Sequence, residues 1–162
     1  MTKRLKVKLV EQGPGQCGPA ALAMVLGFYG VNKTLAELTK LTNCKPAQQR
    51  AGTSAQDLVK AARAVGLTGQ VKDFATVADL RYHVAEKKQP VIISWFSHYD
   101  SHFSVVVRVT DEHIYFLDPE YKTPRRMTLR RFLKVWFEFQ GGVARPTPQP
   151  KVRRIVVIGS KR

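Results

Sequence analysis

Acidic residues are scarce in this chain, and long apolar runs are missing. Its 162 residues include 12 acids against 27 Lys and Arg, for a net charge of +15. The longest apolar clusters, at 91–96 and 155–158, are far too short to cross a bilayer, which takes about 20 residues. The opening Met-Thr-Lys-Arg-Leu-Lys contains no apolar stretch of signal-peptide length. These absences make a cytoplasmic location the default, although a mature secreted or periplasmic form would look the same. Cysteine is nearly absent as well. Cys17 and Cys44 alone exclude the disulfide framework of a small secreted protein. His98 and His102 are separated by three intervening residues with no second ligand pair, so no metal-type spacing is found. What is present is a 44% apolar fraction, enough to fill the core of one ordinary domain without metals or crosslinks.

The basic residues are unevenly placed. Residues 1–10, 121–134 and 140–162 hold four, six and six of them with no acid, so the remainder of the chain is close to neutral. Such segments attract anionic partners: nucleic acid, anionic lipid or an acidic peptide. A basic surface with no dedicated partner fits equally well.

Periodicity divides the chain into helices first and strands afterwards. Residues 7–10 alternate basic and apolar side chains, as a short strand does, and Gly13-Pro14-Gly15 then forces a turn. Cys17-Gly18-Pro19 opens a helix, because a proline in the first turn gives up an N–H that would be unpaired anyway. The run 20–28 continues it and Gly30 ends it. Thr34-Leu35-Ala36-Glu37 is a capping box before a short helix. Thr53 or Ser54 caps a third helix, stopped by Gly66, and Thr76 starts a fourth that ends before Pro90. Residues 91–96, 103–109 and 113–117 are short and rich in β-branched and aromatic residues, as strands are. Residues 128–137 return to helical or mixed spacing, and 152–158 read as a final strand. The fold class is α+β, with N-terminal helices packed against a C-terminal antiparallel sheet. Composition sets a domain at 1–140 and a Gly/Pro-rich basic linker with a final strand or tail at 141–162.

One set of residues carries chemistry. A cysteine in the first turn of a helix sits where the partial positive charge of the helix end favours thiolate, the nucleophilic form. Cys17 has that position. His102 stands at the start of the apolar stretch 103–109, where an imidazole can meet a helix start across a cleft and take a thiol proton. Asp118, in Leu117-Asp118-Pro119, ends the next strand, and a carboxylate there orients an imidazole. A tetrahedral intermediate also needs fixed donors for its oxyanion. The Cys17 backbone N–H and the side-chain amide of Gln12 are candidates; Gln16 is a further one, although a neighbour of the nucleophile often points away. Taken singly, each of these residues has an ordinary structural explanation. Trp95 reads as core-facing, with a place beside the histidine as the alternative. His98, Tyr99 and Asp100 read as a polar loop between strands, and Cys44 as a bystander thiol with no base near it in sequence.

Gln12-x4-Cys17-Gly18-Pro19-Ala20-Ala21-Leu22-Ala23-Met24, Phe28-Tyr29-Gly30, Gly52-Thr53-Ser54, His102-Phe103-Ser104-Val105-Val106 and Asp118-Pro119 together resemble the bacteriocin-leader-processing peptidases. These are double-glycine cysteine peptidases of the papain-like clan, found fused to bacterial ABC exporters and as free-standing domains. The resemblance runs in order over about residues 7–137. It implies a papain-like fold, peptide-bond hydrolysis and no cofactor. It also implies a triad of Cys17, His102 and Asp118, with Gln12 in the oxyanion hole. The family's glutamine commonly lies six residues before the cysteine; Glu11 stands there and Gln12 is one step closer. No transmembrane run and no phosphate-binding loop accompany the domain, so it reads as free-standing or excised from a larger protein, with an exporter acting in trans. The expected substrate is a leader or precursor peptide, cut after Gly-Gly and possessing acidic residues that suit the basic segment 121–134. Gly141-Gly142 looks like such a site but is preceded by a basic segment, and reads as linker. The alternative function is a basic nucleic-acid-binding or toxin domain on a papain-like fold.

Overall fold

A computed structural model describes residues 3–45, 52–98, 100–139 and 151–161. The Gly/Pro-rich linker read at 141–150 and its Gly141-Gly142 pair lie outside the described residues, as does Tyr99. The chain enters in an extended segment whose apolar and basic residues part sides. Leu5 and Val7 are buried while Arg4, Lys6 and Lys8 face solvent. Leu5 N–H donates to the Val107 carbonyl at 2.9 Å. That contact does not extend into a ladder, so the strand expected at 7–10 does not form.

The apolar run after the Gly/Pro turn becomes helix α1 (Cys17–Phe28), buried along most of its circumference. Thr34 and Glu37 form the expected reciprocal cap for α2 (Leu35–Leu41). Of the two candidate caps for α3 (Ala55–Ala64), Ser54 serves: its side chain accepts from Asp57 N–H at 3.1 Å. Strand β1 (Leu67–Lys72) follows, then α4 (Val77–Arg81), capped by Thr76 and prolonged by a π-helical turn at Tyr82–Glu86. Strands β2 (Val91–Ser97), β3 (Asp100–Val109), β4 (His113–Leu117) and β5 (Arg125–Thr128) come next. Helix α5 (Leu129–Val135), two-residue strands β6 (Phe137–Glu138) and β7 (Lys151–Val152), and β8 (Ile155–Ser160) complete the order.

Six strands form one antiparallel sheet in the order β1-β8-β2-β3-β4-β5. Helix α1 packs on β2 and β3, and α3 on β1 and β8. This is the α+β arrangement of helices against an antiparallel sheet. Strand β8 is interior, bonded to β1 on one side and β2 on the other. The compositional boundary at 140 therefore does not hold for the final strand, which belongs to the same sheet. Its residues 155–159 are buried, with α3 packed against the strand. Arg154, just before it, is only 4% exposed. Its guanidinium donates to Asp73 at 2.6 and 2.8 Å and to Glu138 at 2.9 Å, and Ser94 also donates to Glu138. This residue of the basic tail is thus a buried, paired strut and not a free surface charge. Among the described residues, no helix is long and apolar enough to cross a membrane.

Candidate active site

The turn before α1 is built to present the first helical residue. Gly15 has φ of +72°, a left-handed conformation that glycine adopts without strain. The backbone N–H of Gln16 closes on the Gly13 carbonyl at 3.1 Å. The Gln16 side chain accepts from Gly13 N–H at 3.1 Å and donates to Thr39 Oγ1 at 2.9 Å. It therefore ties the turn to α2, which removes it as an oxyanion donor. No side chain caps the start of α1. The helix also sits close against the segment before α3: a Cβ on Gly18 would lie 2.2 Å from Thr53 Cγ2. Gly18 is thus required by contact, and it locks the Cys17 turn against Gly52-Thr53-Ser54.

His102 lies in β3, opposite Trp95 of β2. Strand β3 begins at Asp100 and pairs with β2 out to Ser97, so Asp100 lies in a strand and not in the polar loop expected there, and His102 is the strand's third residue. Strand β4 runs back beside β3 with Leu117 across from Val105. The chain leaving β4 at Asp118 consequently passes the His102 end. The two side chains meet with Nε2 and Oδ1 2.6 Å apart, His102 being 6% exposed and Asp118 fully buried. Because Nε2 is engaged by the carboxylate, Nδ1 remains for the sulfur. Cys17 lies near enough for its charge to act on the ring. Burial works against a charged imidazole here, but the hydrogen bonds and charges of Asp118 and Cys17 outweigh it and lift the His102 pKa to about 10. Burial likewise opposes charge on Asp118, and the hydrogen bonds from His102, Arg125 and the Glu120 backbone, with the His102 charge, hold its pKa low.

The four sequence-read residues are thus gathered from three segments. Cys17, His102 and Asp118 converge. Gln12 is held by its backbone N–H on the Pro119 carbonyl at 2.9 Å, and its side-chain Oε1 is buried without a partner. Trp95 stands beside the histidine, ring edge to ring face, with centroids 6.0 Å apart, while its indole N–H donates to Ser104. The core and the site claims on Trp95 are both met. Cys17 opens onto a cleft lined by Gly15, Thr53, Ser101, Phe103 and Phe139. Ser101 Oγ in that lining is buried without a partner.

Cys44 lies closer to the site than its sequence position suggested. Its thiol donates to the Gly15 carbonyl at 3.3 Å, and its pKa is raised by burial and by the charge of Cys17. Arg125 escaped the sequence reading because it was one of many arginines in 121–134. Arg125 and Met127 turn inward from β5 while Arg126 and Thr128 face out, an arrangement set by pairing with β4. Arg125 Nη1 donates to Asp118 Oδ2 at 2.6 Å. His102, Asp118 and Glu120 offer ligand-type atoms within 4.8 Å of one another. Two of the three use those atoms on each other, and the Arg125 cation already neutralises the carboxylate, so the set does not suit a metal.

Three comparisons locate this architecture among known proteins. PedD, the pediocin PA-1 transport/processing ATP-binding protein of Pediococcus acidilactici, is 33% identical over 124 residues, 74% of this chain. The chain spans only 16% of PedD's length. The peptidase domain of Streptococcus ComA, a bifunctional ABC transporter of a quorum-sensing pathway, superposes with a TM-score of 0.71 at 22% identity, over 97% of this chain and 99% of that one. A double-glycine-motif protease from an AMS/PCAT transporter, solved with its leader peptide, gives 0.69 at 23% identity, over 98% and 94%. The profile of the Peptidase C39 family matches residues 6–146, a stretch that takes in the helix-start cysteine, the β3 histidine and the aspartate after β4; this chain belongs to that family of cysteine peptidases.

Proposed function

We propose that the chain hydrolyses a peptide bond following a Gly-Gly pair in a leader or precursor peptide. Cys17 is the nucleophile, His102 the base and Asp118 the group that orients it. The observation that supports this most is the 2.6 Å bond between a buried histidine and a buried aspartate, at the place where α1 begins with a cysteine. His102 takes the thiol proton, and the charged ring faces the thiolate. The sulfur attacks the scissile carbonyl. The Cys17 N–H and the Gln12 amide donate to the resulting oxyanion. The imidazolium then gives its proton to the leaving amine, and an acyl-enzyme remains. Water, deprotonated by His102, releases the acid and restores the thiol.

The leader-peptide reading is supported by the transporter-associated relatives and by the leader-bound neighbour. A leader with acidic residues suits the exposed Arg126, Arg130, Arg131 and Lys134 of β5 and α5. An exporter acting in trans is the partner class this implies. The test is hydrolysis of synthetic peptides with Gly-Gly, Ala-Ala or Leu-Leu before the cut, followed by mass spectrometry. Cleavage directly after Gly-Gly, lost in Cys17→Ala and slowed about 10²–10⁴-fold in His102→Ala, is the expected result. Cleavage that survives Cys17→Ala contradicts the assignment.

A further inference from the structure

The basic segment 121–134 holds one arginine unlike its neighbours. Lys122, Arg126, Arg130 and Arg131 are exposed, whereas the Arg125 side chain retains 29% of its accessibility and reaches inward. Strand register sets Arg125 opposite Phe116. Three rings surround the guanidinium: Tyr121 at 4.2 Å, Phe116 at 5.6 Å and Trp95 at 5.8 Å from centroid. Trp95 also borders His102. The carboxylate of Asp118 is divided between the two sides. Oδ1 accepts from His102 and from Glu120 N–H at 3.1 Å, and Oδ2 accepts from Arg125 at 2.6 Å.

We propose that Arg125 is a positioning residue for the Cys17–His102 pair, acting through Asp118. It pins Oδ2 so that Oδ1 faces the ring, and its charge offsets that of the carboxylate so that the imidazolium remains a competent acid. This rests on the peptidase reading above. An aspartate fully buried beside an imidazole and left unopposed would stabilise the charged ring strongly, since burial weakens screening. Too stable an imidazolium gives up its proton to the leaving amine reluctantly. The charged or titratable groups facing His102 are Cys17 from α1, Asp100 from β3 itself, Asp118 and Glu120 from the turn after β4, and Arg125 behind Asp118 from β5; Trp95 of β2 contributes an uncharged ring. Arg125 is the permanent cation of this set. A planar guanidinium also suits the aromatic cage, which an ammonium fits less well.

Two variants separate charge from contact. Arg125→Gln keeps a donor toward Oδ2 and removes the charge; Arg125→Lys keeps the charge and loses the planar stack. His102 is followed by NMR titration of ¹³C-labelled histidine, which needs no substrate, alongside kcat and KM on the cleaved peptide. In Arg125→Gln the His102 titration moves upward by about one pH unit, with kcat down about tenfold and KM within about twofold. In Arg125→Lys the titration stays within a few tenths of a unit while kcat falls several-fold. A purely structural arginine would lower the melting temperature and leave the titration where it was. A folded Arg125→Gln with unchanged titration and kcat overturns the proposal. If Arg125→Gln does not fold, Arg125→Lys decides: an upward titration shift of a unit there, with the charge still present, overturns it equally. If the wild type cleaves no peptide, the peptidase reading fails, and the titration shift still decides whether Arg125 acts on His102.

Discussion

Gln12 shows how the chemistry of one side chain depends on its backbone. It stands one residue nearer the cysteine than the glutamine of similar peptidases, and the Gly13-Pro14-Gly15 turn occupies the interval. Its backbone N–H donates to the carbonyl of Pro119, the residue after Asp118, so the loop before α1 is tied to the turn after β4. Its side-chain Oε1 is buried without a partner; the oxyanion role would fall to the other end of the amide, whose N–H groups donate. Gln16, the other glutamine, is engaged with Gly13 and Thr39. On the oxyanion reading, Gln12→Ala lowers kcat on the cleaved peptide by about 10²–10³-fold, the cost of losing one fixed donor, with KM little changed. Gln16→Ala would mainly loosen the turn and lower the melting temperature. Steady-state kinetics on the two variants separates them: an active Gln12→Ala beside a catalytically dead Gln16→Ala would reverse the assignment.

Among the elements, the helices were legible and several strands were not. Capping boxes and apolar runs have a local cause, so Thr34, Ser54 and Thr76 mark real helix starts. Strands β2, β3 and β4 were readable as continuous apolar stretches. Strand β1, Leu67-Thr68-Gly69-Gln70-Val71-Lys72, was not, because its polar face and central glycine carry little strand signal. Gly69 is there for a tertiary reason: a Cβ would sit 3.2 Å from Val59 Cγ1 of α3. Strand β5 hid in a basic segment for the same kind of reason, its register being set by β4 and not by its own pattern. Composition also misplaced β8. The Gly/Pro-rich residues before it set it apart from the domain as a final strand or tail, yet its pairing to β1 and β2 makes it the bridge between the two parts of the sheet. Truncation after Gln140 therefore leaves β1 and β2 without their shared neighbour and uncovers buried apolar surface. The expected outcome is an aggregated or unfolded product with no cooperative thermal transition by circular dichroism. A soluble, cooperatively melting 1–140 chain would show that β8 is dispensable.

At the scale of the whole molecule, the site is a product of topology. Its cysteine, histidine and aspartate are local features at a helix start, a strand and a strand end, each readable from sequence with its neighbours. Their meeting was foreseeable only from the order of antiparallel strands and from the resemblance of the motifs taken together. What no local pattern disclosed was the electrostatic setting: the Arg125 contact with Asp118, the proximity of Cys44 to the turn before α1, and Arg154 buried between Asp73 and Glu138. These depend on contacts between segments far apart in the chain. The pH behaviour follows from the same setting. A histidine pKa raised to about 10 means the ring is charged below that pH and loses its charge as pH rises through it. A charged ring therefore stands near the Cys17 side chain over the whole neutral range. Cys44, with its pKa raised, lacks such a partner. The most direct measurement is the rate of iodoacetamide alkylation at each cysteine across pH 5–10, read by peptide mass spectrometry, in the wild type and in His102→Ala. The expected result is rapid, selective modification of Cys17 at neutral pH, falling to the slow rate of Cys44 in His102→Ala. Equal and slow labelling of both cysteines, unchanged by His102→Ala, would contradict the pairing on which the peptidase reading stands.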